Sequence, residues 1–444
     1  MFIIPDYVQA ILGRLEAAHH EAYIVGGCVR DSIMGMTPHD YDVTTSALPN
    51  ETEQIFSDHR VIETGLKHGT VTVLSDGNPI EITTFRVDGQ YKDGRHPQDV
   101  TFTTNIRDDL SRRDFTMNGI AYSPVHGKID PFGGEEDISR GLIRCIGDPD
   151  RRFGEDALRI LRGLRFASVL GFEIEEKTAR SIRKNYPLLK NVSAERIFCE
   201  LKRLLCGENV LKILLEFPEI FSALIPQLAP TVGYDQGSRY HNSDLYTHTA
   251  RAVAAAPCDP AMRLAMLLHD IGKPSCSSTD EIGECHYYGH AEKSAQIAED
   301  VLRGLKCDNA LRGRVCEVVK FHDIPIEISE KYIRRQLSRH GADRLVDIIR
   351  AHIADDSAKQ PFCLERIPKW QQAIALAEKI AAETPCVSLK QLAVRGSDLR
   401  EIVPPSPKMG AVLEKLLSEV IDGTLPNERA ALMKRAREIV DTKK

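Results

Sequence analysis

The sequence lacks any C-x-x-C pair, and its eleven cysteines are scattered singly from Cys28 to Cys386. An odd, dispersed set argues against a disulfide framework and against a thiolate zinc site, and it fits reduced thiols. No apolar run is long enough to span a bilayer, and residues 1–10 hold no basic region followed by an apolar core and a cleavage site. The expectation is a cytoplasmic protein without membrane contact. Internal repeats and low-complexity tracts are also missing, which removes solenoids and biased linkers from consideration. Nor is there a basic excess: the formal net charge is −6. Residues 151–205 nevertheless carry thirteen Lys and Arg against seven Asp and Glu, and residues 427–444 carry six against three. A phosphate-binding surface needs such a local patch, not a basic average.

What is present fills 444 residues, enough for several domains. Residues 1–145 mix strand and helix signals: Tyr23 to Val25, Val71 to Val73 and Ile80 to Phe85 read as strands between glycine and proline breaks. From Arg151 onward apolar residues recur at spacings of three and four, as in Leu158, Leu161 and Leu164, and no strand run stands out. The layout expected is an α+β head with a mixed sheet at 1–145. An all-α body follows: a neck at 146–235, a histidine-rich helical unit at 236–360 and a helical tail at 361–444.

In the head, Gly26-Gly27 sits between a strand and a helix start, where backbone N–H groups and a helix N-terminus favour a triphosphate. Arg30 follows, with a planar fork suited to phosphate oxygens. Asp40-Tyr41-Asp42 places two carboxylates on one face if it lies on a strand. Like charges that close call for a cation, and hard oxygens suit Mg²⁺. Glu81, in the alternating Ile80-Glu81-Ile82-Thr83, is the candidate third carboxylate.

These motifs recur in a recognisable order. The glycine turn with Arg30-Asp31, the D-x-D, Thr64 to Thr70, Arg112-Arg113-Asp114-Phe115-Thr116-Met117-Asn118 and Gly154-Glu155-Asp156-Ala157-Leu158-Arg159 together resemble class II tRNA nucleotidyltransferases. The resemblance covers about the first half of the chain. It implies a nucleotidyltransferase head with Asp40 and Asp42 as Mg²⁺ ligands, Arg112 and Arg113 on the incoming nucleotide, and tRNA, CTP and ATP as partners. It also puts Arg162 and Arg165, which follow Arg159 in steps of three, on nucleotide or primer. Residues 86–97 resemble the family's flexible loop, which enzymes adding only CC lack.

Asp156 and Arg159 also admit a physical reading. On one helix they face the same way and offer an acceptor beside a donor. Cytosine and adenine each present an amino donor beside a ring acceptor in matching order, whereas guanine and uracil present the reverse and would leave buried groups unpaired. The alternative is an ordinary ion pair between Glu155 and Arg159.

Eight of the fifteen histidines lie between His241 and His352. His248, the adjacent pair His269-Asp270 and the distant Asp355 resemble the HD phosphohydrolase superfamily, which implies that these four hold a divalent metal of unspecified identity. His290 and His322 are candidates for a second ion. The reading is a CCA-adding tRNA nucleotidyltransferase with an appended HD domain. The alternatives are an enzyme adding only the terminal A, a poly(A) polymerase, and, in another class, an HD hydrolase whose head binds RNA.

Overall fold

The computed structural model describes residues 2–65, 69–89, 100–281, 284–383 and 386–441. Leu66 to His68 of the Thr64–Thr70 motif, and residues 90–97 of the expected loop, lie outside the described residues. The chain forms two compact units, Met1–Pro226 and Gln227–Lys444.

The first unit opens on a seven-stranded sheet built from β1 (Ala22–Val25), β2 (Asp42–Thr45), β3 (Arg60–Gly65), β4 (Thr70–Ser75), β5 (Asn78–Thr84), β6 (Ala121–Ser123) and β7 (Gly127–Ile129), in the order β3-β4-β5-β2-β1-β6-β7. Only β2 and β5 run parallel; the other neighbours are antiparallel. The sheet is therefore mixed, as expected from sequence. β5 shows why it packs: Ile80, Ile82 and Thr84 are buried while Glu81 between them is exposed, the period-two pattern of a strand covered on one face.

Helix α1 (Gly27–Ile33) follows β1 directly, and Gly26 at its start has φ 77°, a conformation that glycine adopts without a Cβ clash. Beyond the sheet the unit is mainly helical, with two short strand pairs, Arg86–Asp88 with Val100–Phe102 and Leu142–Ile143 with Glu173–Ile174. Two of its helices, α2 (Pro149–Glu155) and α3 (Leu158–Leu170), are separated only by Asp156 and Ala157. α3 ends at Gly171, which is left-handed, the usual stop for a helix. α4 (Ala194–Leu205) packs along α3 through Leu201, Leu204 and Leu205, all fully buried.

Among the described residues the second unit's regular structure is helical apart from one two-stranded pairing of two residues each. Its helices include α5 (Leu245–Ala255), α6 (Pro260–Leu268), α7 (His290–Gly304), α8 (Asn309–Phe321), α9 (Ala342–Ser357) and α10 (Ile367–Ala382). Leu345 and Ile349 of α9 share a core with Trp370, Ala373 and Ala377 of α10. A further core unites α11 (Pro407–Ile421) with α12 (Arg429–Asp441) through Val412, Leu416, Leu432 and Ala436.

Backbone approaches closely where the segment after α4 returns to α3. A Cβ on Gly207 would stand 2.2 Å from Ser168 Oγ and 2.5 Å from the Ser168 carbonyl carbon. The backbone carbonyl cannot rotate aside, so Gly207→Ala should destabilise the first unit by about 1–3 kcal/mol. A urea midpoint for that unit equal to wild type would show that the contact is relaxed at little cost.

Candidate active site and metal cluster

Sheet register gathers the head carboxylates. Asp42 pairs with Val25 on one side and with Glu81 on the other, so the glycine turn, Asp42 and Glu81 lie side by side. Asp40 falls two residues before the edge of β2 and not on the strand. The alternation still holds, with Tyr41 buried between exposed Asp40 and Asp42. Desolvation raises the pKa of Asp42, Arg113 opposes it, and Glu81 and Asp40 raise it again. Two like charges close enough to disturb a carboxyl are what a hard divalent cation relieves. These residues therefore fit Mg²⁺.

The arginines around this site are fixed by carboxylates. A Cβ at Gly26 would lie 2.9 Å from Arg113 Nη1, so the Arg113 guanidinium stands against the glycine turn. Fully buried Asp109 binds both neighbours, Arg112 at 2.9 Å and Arg113 at 3.6 Å. Arg30 donates Nη1 to Asn118 Oδ1 at 2.9 Å and Nε to Asp31 Oδ1 at 2.8 Å, and its guanidinium lies over Phe166. Asn118 in turn donates to Asp114 Oδ1 at 3.0 Å, and Arg162 Nε donates to Asp114 Oδ2 at 2.8 Å. Burial would raise Asp114, but Arg162 and Asn118 outweigh it and hold the carboxyl at about 2. Arg165 pairs with buried Glu200 at 2.7 Å and stacks on Phe166. Arg30, Arg162 and Arg165 thus surround a single aromatic ring.

The sequence places Asp156 and Arg159 on one helix, and the structure corrects this. Asp156 is extended, with φ −145° and ψ 105°, between α2 and α3. Its Oδ1 accepts the Leu158 N–H at 3.0 Å, the local side-chain bond by which aspartate competes with helix continuation. Its Oδ2 pairs with Arg196 of α4 at 2.7 Å. Arg159, buried on α3, donates Nη1 to Glu155 Oε2 at 2.7 Å and to the Arg152 carbonyl at 3.2 Å, and Nη2 to the Arg112 carbonyl at 2.9 Å. Glu155 would be raised by burial, yet Arg159 and Arg152 lower it. The Glu155–Arg159 pair exists, therefore, while Asp156 belongs to Arg196.

Sequence reasoning missed Asp109, Arg196 and Glu200. Asp109 carried a usable signal, since Arg112 and Arg113 follow it by three and four residues within one turn. Arg196 and Glu200 carried only an i, i+4 spacing on an amphipathic helix, which marks most solvated helix faces as well.

In the second unit six side chains converge. His248 is on α5, His269 and Asp270 end α6, His290 opens α7, His322 closes α8 and Asp355 is on α9. His248 Nε2 lies 3.1 Å from Asp355 Oδ1 and 3.3 Å from His269 Nε2, which is 3.1 Å from Asp270 Oδ2. On the other side of Asp270, Oδ1 is 3.3 Å from His290 Nε2 and 3.5 Å from His322 Nε2. Asp270 therefore bridges two ligand groups, His248-His269-Asp270-Asp355 and Asp270-His290-His322. Each of His269, His290 and His322 directs Nδ1 at a backbone carbonyl within 2.8 Å. That bond fixes Nε2 as the inward, metal-facing nitrogen. Asp270 Oδ1 and Asp355 Oδ1 are buried with no hydrogen-bond donor among the described residues. Orphaned buried carboxylate oxygens facing imidazole lone pairs fit one or two divalent ions.

A mixed sheet with clustered carboxylates beside a glycine turn defines a nucleotidyltransferase head, and the comparisons agree. The Poly A polymerase head domain model matches residues 22–144. A model for the RNA- and SrmB-binding site of polymerase A matches residues 171–231, and one for tRNA nucleotidyltransferase domain 2 matches residues 288–436. The CCA-adding enzyme of Lactiplantibacillus plantarum is 33% identical over 99% of this chain and 98% of its own length. That of Geobacillus stearothermophilus is 33% identical over 98% of both. The crystal structure of the Bacillus stearothermophilus CCA-adding enzyme in complex with CTP covers 99% of each chain at 30% identity and a TM-score of 0.78. The chain belongs to the CCA-adding enzymes, within the class II tRNA nucleotidyltransferases. No helix among the described residues is long and apolar enough to cross a membrane.

Asp114 gives the site a measurable acid signature. Its folded pKa lies below the unfolded value of about 3.9, so its contribution is complete above pH ~4 and is lost as pH falls toward ~2. The stability gap between wild type and Asp114→Asn, from urea midpoints, should narrow across that window. A gap that stayed constant down to pH 2.5 would contradict the Arg162 pairing.

Proposed function

We propose that the chain builds the 3′-terminal CCA of tRNA from CTP and ATP, with its own side chains in place of a nucleic-acid template. The observation that carries this is the meeting of Asp42 and Glu81 across adjacent strands, with Asp40 two residues upstream, in the unit that also holds the Glu155-Asp156-Arg159 junction.

Asp40 and Asp42, with Glu81 behind them, are the proposed Mg²⁺ ligands. Bound there, two such ions would activate the tRNA 3′-hydroxyl for attack on the α-phosphorus and steady the departing pyrophosphate. The chain supplies the rest. Gly26 and Gly27 leave room for phosphate oxygens against the backbone, and Arg113 stands over that turn. Arg30, Arg112, Arg162 and Arg165 are proposed to complete the nucleotide and primer contacts, each held in place by a carboxylate or an amide. Asp156 would accept the amino hydrogen of cytosine or adenine, and Arg159 would donate to the adjacent ring nitrogen.

The proposed division of labour is a catalytic head at 1–145, a nucleotide-selecting neck at 146–235, an HD-type centre at 236–360 and a tRNA-binding tail at 361–444. A cytoplasmic location fits a substrate found there. The HD-type reading rests on the bridging Asp270. His248, His269, Asp270 and Asp355 would hold one divalent ion, and His290 and His322 with Asp270 a second. Bound metal there would activate water for phosphoester hydrolysis.

The direct test offers tRNA lacking CCA, tRNA ending in CC, and each nucleotide separately, then sequences the ends. CC from CTP followed by A from ATP is expected; addition of A alone to the CC substrate would favour the A-adding reading. Asp42→Ala should cut addition by about a thousandfold or more, since metal stabilisation supplies several kcal/mol. Addition near wild-type speed would remove Asp42 from the metal set.

Metal uptake by the histidine cluster should rise with pH. Burial alone would depress His269, but Asp270 and Asp355 outweigh it and hold the imidazole at about 9. A ligand nitrogen protonated at neutral pH must lose its proton to bind metal. Apparent Mn²⁺ affinity should therefore be higher at pH 8.5 than at pH 6.5. Equal affinities, or no binding at either pH, would contradict the assignment.

A further inference from the structure

Phe166 stands against three of the arginines assigned to substrate and has no assigned role of its own. It lies on α3, four residues after Arg162 and one after Arg165. Residues four apart share a helix face, whereas adjacent ones point about 100° apart. Arg162 therefore reaches the ring directly, its guanidinium carbon 5.5 Å from the ring centre. Arg165 must fold back to do so, yet it sits nearest, at 4.1 Å. Glu200 of α4 pairs with its Nε at 2.7 Å and holds it there. Arg30 arrives from α1, at 5.1 Å.

The ring itself is fixed. Phe166 is 6% exposed and meets Phe115 at a right angle, with centroids 6.0 Å apart and planes at 85°. Phe115 in turn packs against α3 where Gly163 leaves room, since a Cβ there would stand 3.0 Å from Phe115 Cζ.

Three guanidiniums gathered on one ring repel one another. Burial lowers the pKa of Arg165, Glu200 opposes it, and Arg162 presses it down again. Carboxylates offset the charge, but each one occupies N–H groups of the kind a phosphate would need. A ring face makes no such demand, because cation–π attraction acts on the flat of the guanidinium and not on its edge donors. The attraction is strongest where water is excluded. Phe166 is buried, while Arg162 keeps 35% of its side chain exposed, so the cluster is held from within and opens to solvent beside Arg162. An aliphatic side chain of similar size would fill the space without holding the cations.

We propose that Phe166 is a positioning residue for CCA addition: its ring holds Arg30, Arg162 and Arg165 in one array that presents their donors to substrate phosphates. The role rests on the nucleotidyl-transfer reading given above. Phosphates reach the site from two sources, the triphosphate of the nucleotide and the tRNA backbone, and the array suits either.

The test replaces Phe166 in turn with mono-, di- and trifluorophenylalanine in the full chain. Each fluorine draws electron density from the ring face and weakens its hold on a cation, while size and packing stay nearly constant. KM is measured for CTP and for tRNA lacking CCA, with urea midpoints as the check on folding. KM for at least one substrate should climb stepwise, by about three- to tenfold at the third fluorine. The rate at saturation should change little, because binding lost equally from ground and transition states raises KM alone. A rise confined to CTP would put the array on the triphosphate, and one confined to tRNA would put it on the backbone. Phe166→Leu should lose at least as much; if it does not fold, the fluorinated series decides alone. A KM flat for both substrates along the series, or in a folded Phe166→Leu, would overturn the role and leave Phe166 an ordinary core residue. A wild-type chain that adds no nucleotide would instead remove the nucleotidyl-transfer reading, and this inference with it.

Discussion

The Glu155–Arg159 ion pair closes the helix junction on which the proposed base selection depends. Arg159 is gripped by a carboxylate and by two backbone carbonyls, those of Arg152 and Arg112. Several acceptors on a planar guanidinium leave it little freedom to turn. The Arg112 carbonyl belongs to the segment that carries Arg112 and Arg113 beside Asp109, so the same bond ties the junction to the head. Removing Glu155 would take the carboxylate of its ion pair from a buried cation, a cost of roughly 3–5 kcal/mol for a broken buried pair.

Around this pair the first unit uses charge in two ways. Three carboxylates are each paired with an arginine: Asp114 with Arg162, Asp156 with Arg196, Glu200 with Arg165. Such pairs hold the arginine side chains in position. In the head Asp40, Asp42 and Glu81 repel one another, and Arg113 offsets them only in part. The contrast separates positioning from catalysis, because repelling carboxylates persist where a cation is expected to bind. In the histidine cluster of the second unit Asp270 is shared between two groups of imidazoles.

Much of this was legible in the sequence, for physical reasons. Strand alternation at Ile80 to Thr84 and the glycine pair after Val25 are local signals, and they put Glu81 and the turn where the structure has them. The histidine spacing likewise pointed to residues that the fold does gather. The helix break at Asp156 was not legible, because i, i+3 spacing looks the same whether or not a side-chain cap interrupts the helix. Asp40 slipped off its strand for a similar reason, since D-x-D alternation continues past a strand end. Arg196 and Glu200 depend on how α4 packs on α3, a long-range matter that no local pattern encodes. Leu66 to His68 and the loop at 90–97 lie outside the described residues, so their expected roles rest on the sequence resemblance.

If Asp156 and Arg159 read the base, altering the acceptor must alter which nucleotide is chosen and not only how fast. Asp156→Asn replaces a carboxylate with an amide that can turn its donor toward the O4 of uracil. Single-turnover addition to tRNA lacking CCA, with CTP and UTP offered in parallel, measures the choice directly. UTP incorporation is expected to rise relative to CTP by a large factor, because discrimination by paired buried polar groups spans several powers of ten. A variant that kept the wild-type preference for CTP at reduced speed would show that Asp156 is only Arg196's partner, and selection by these side chains would have to be abandoned.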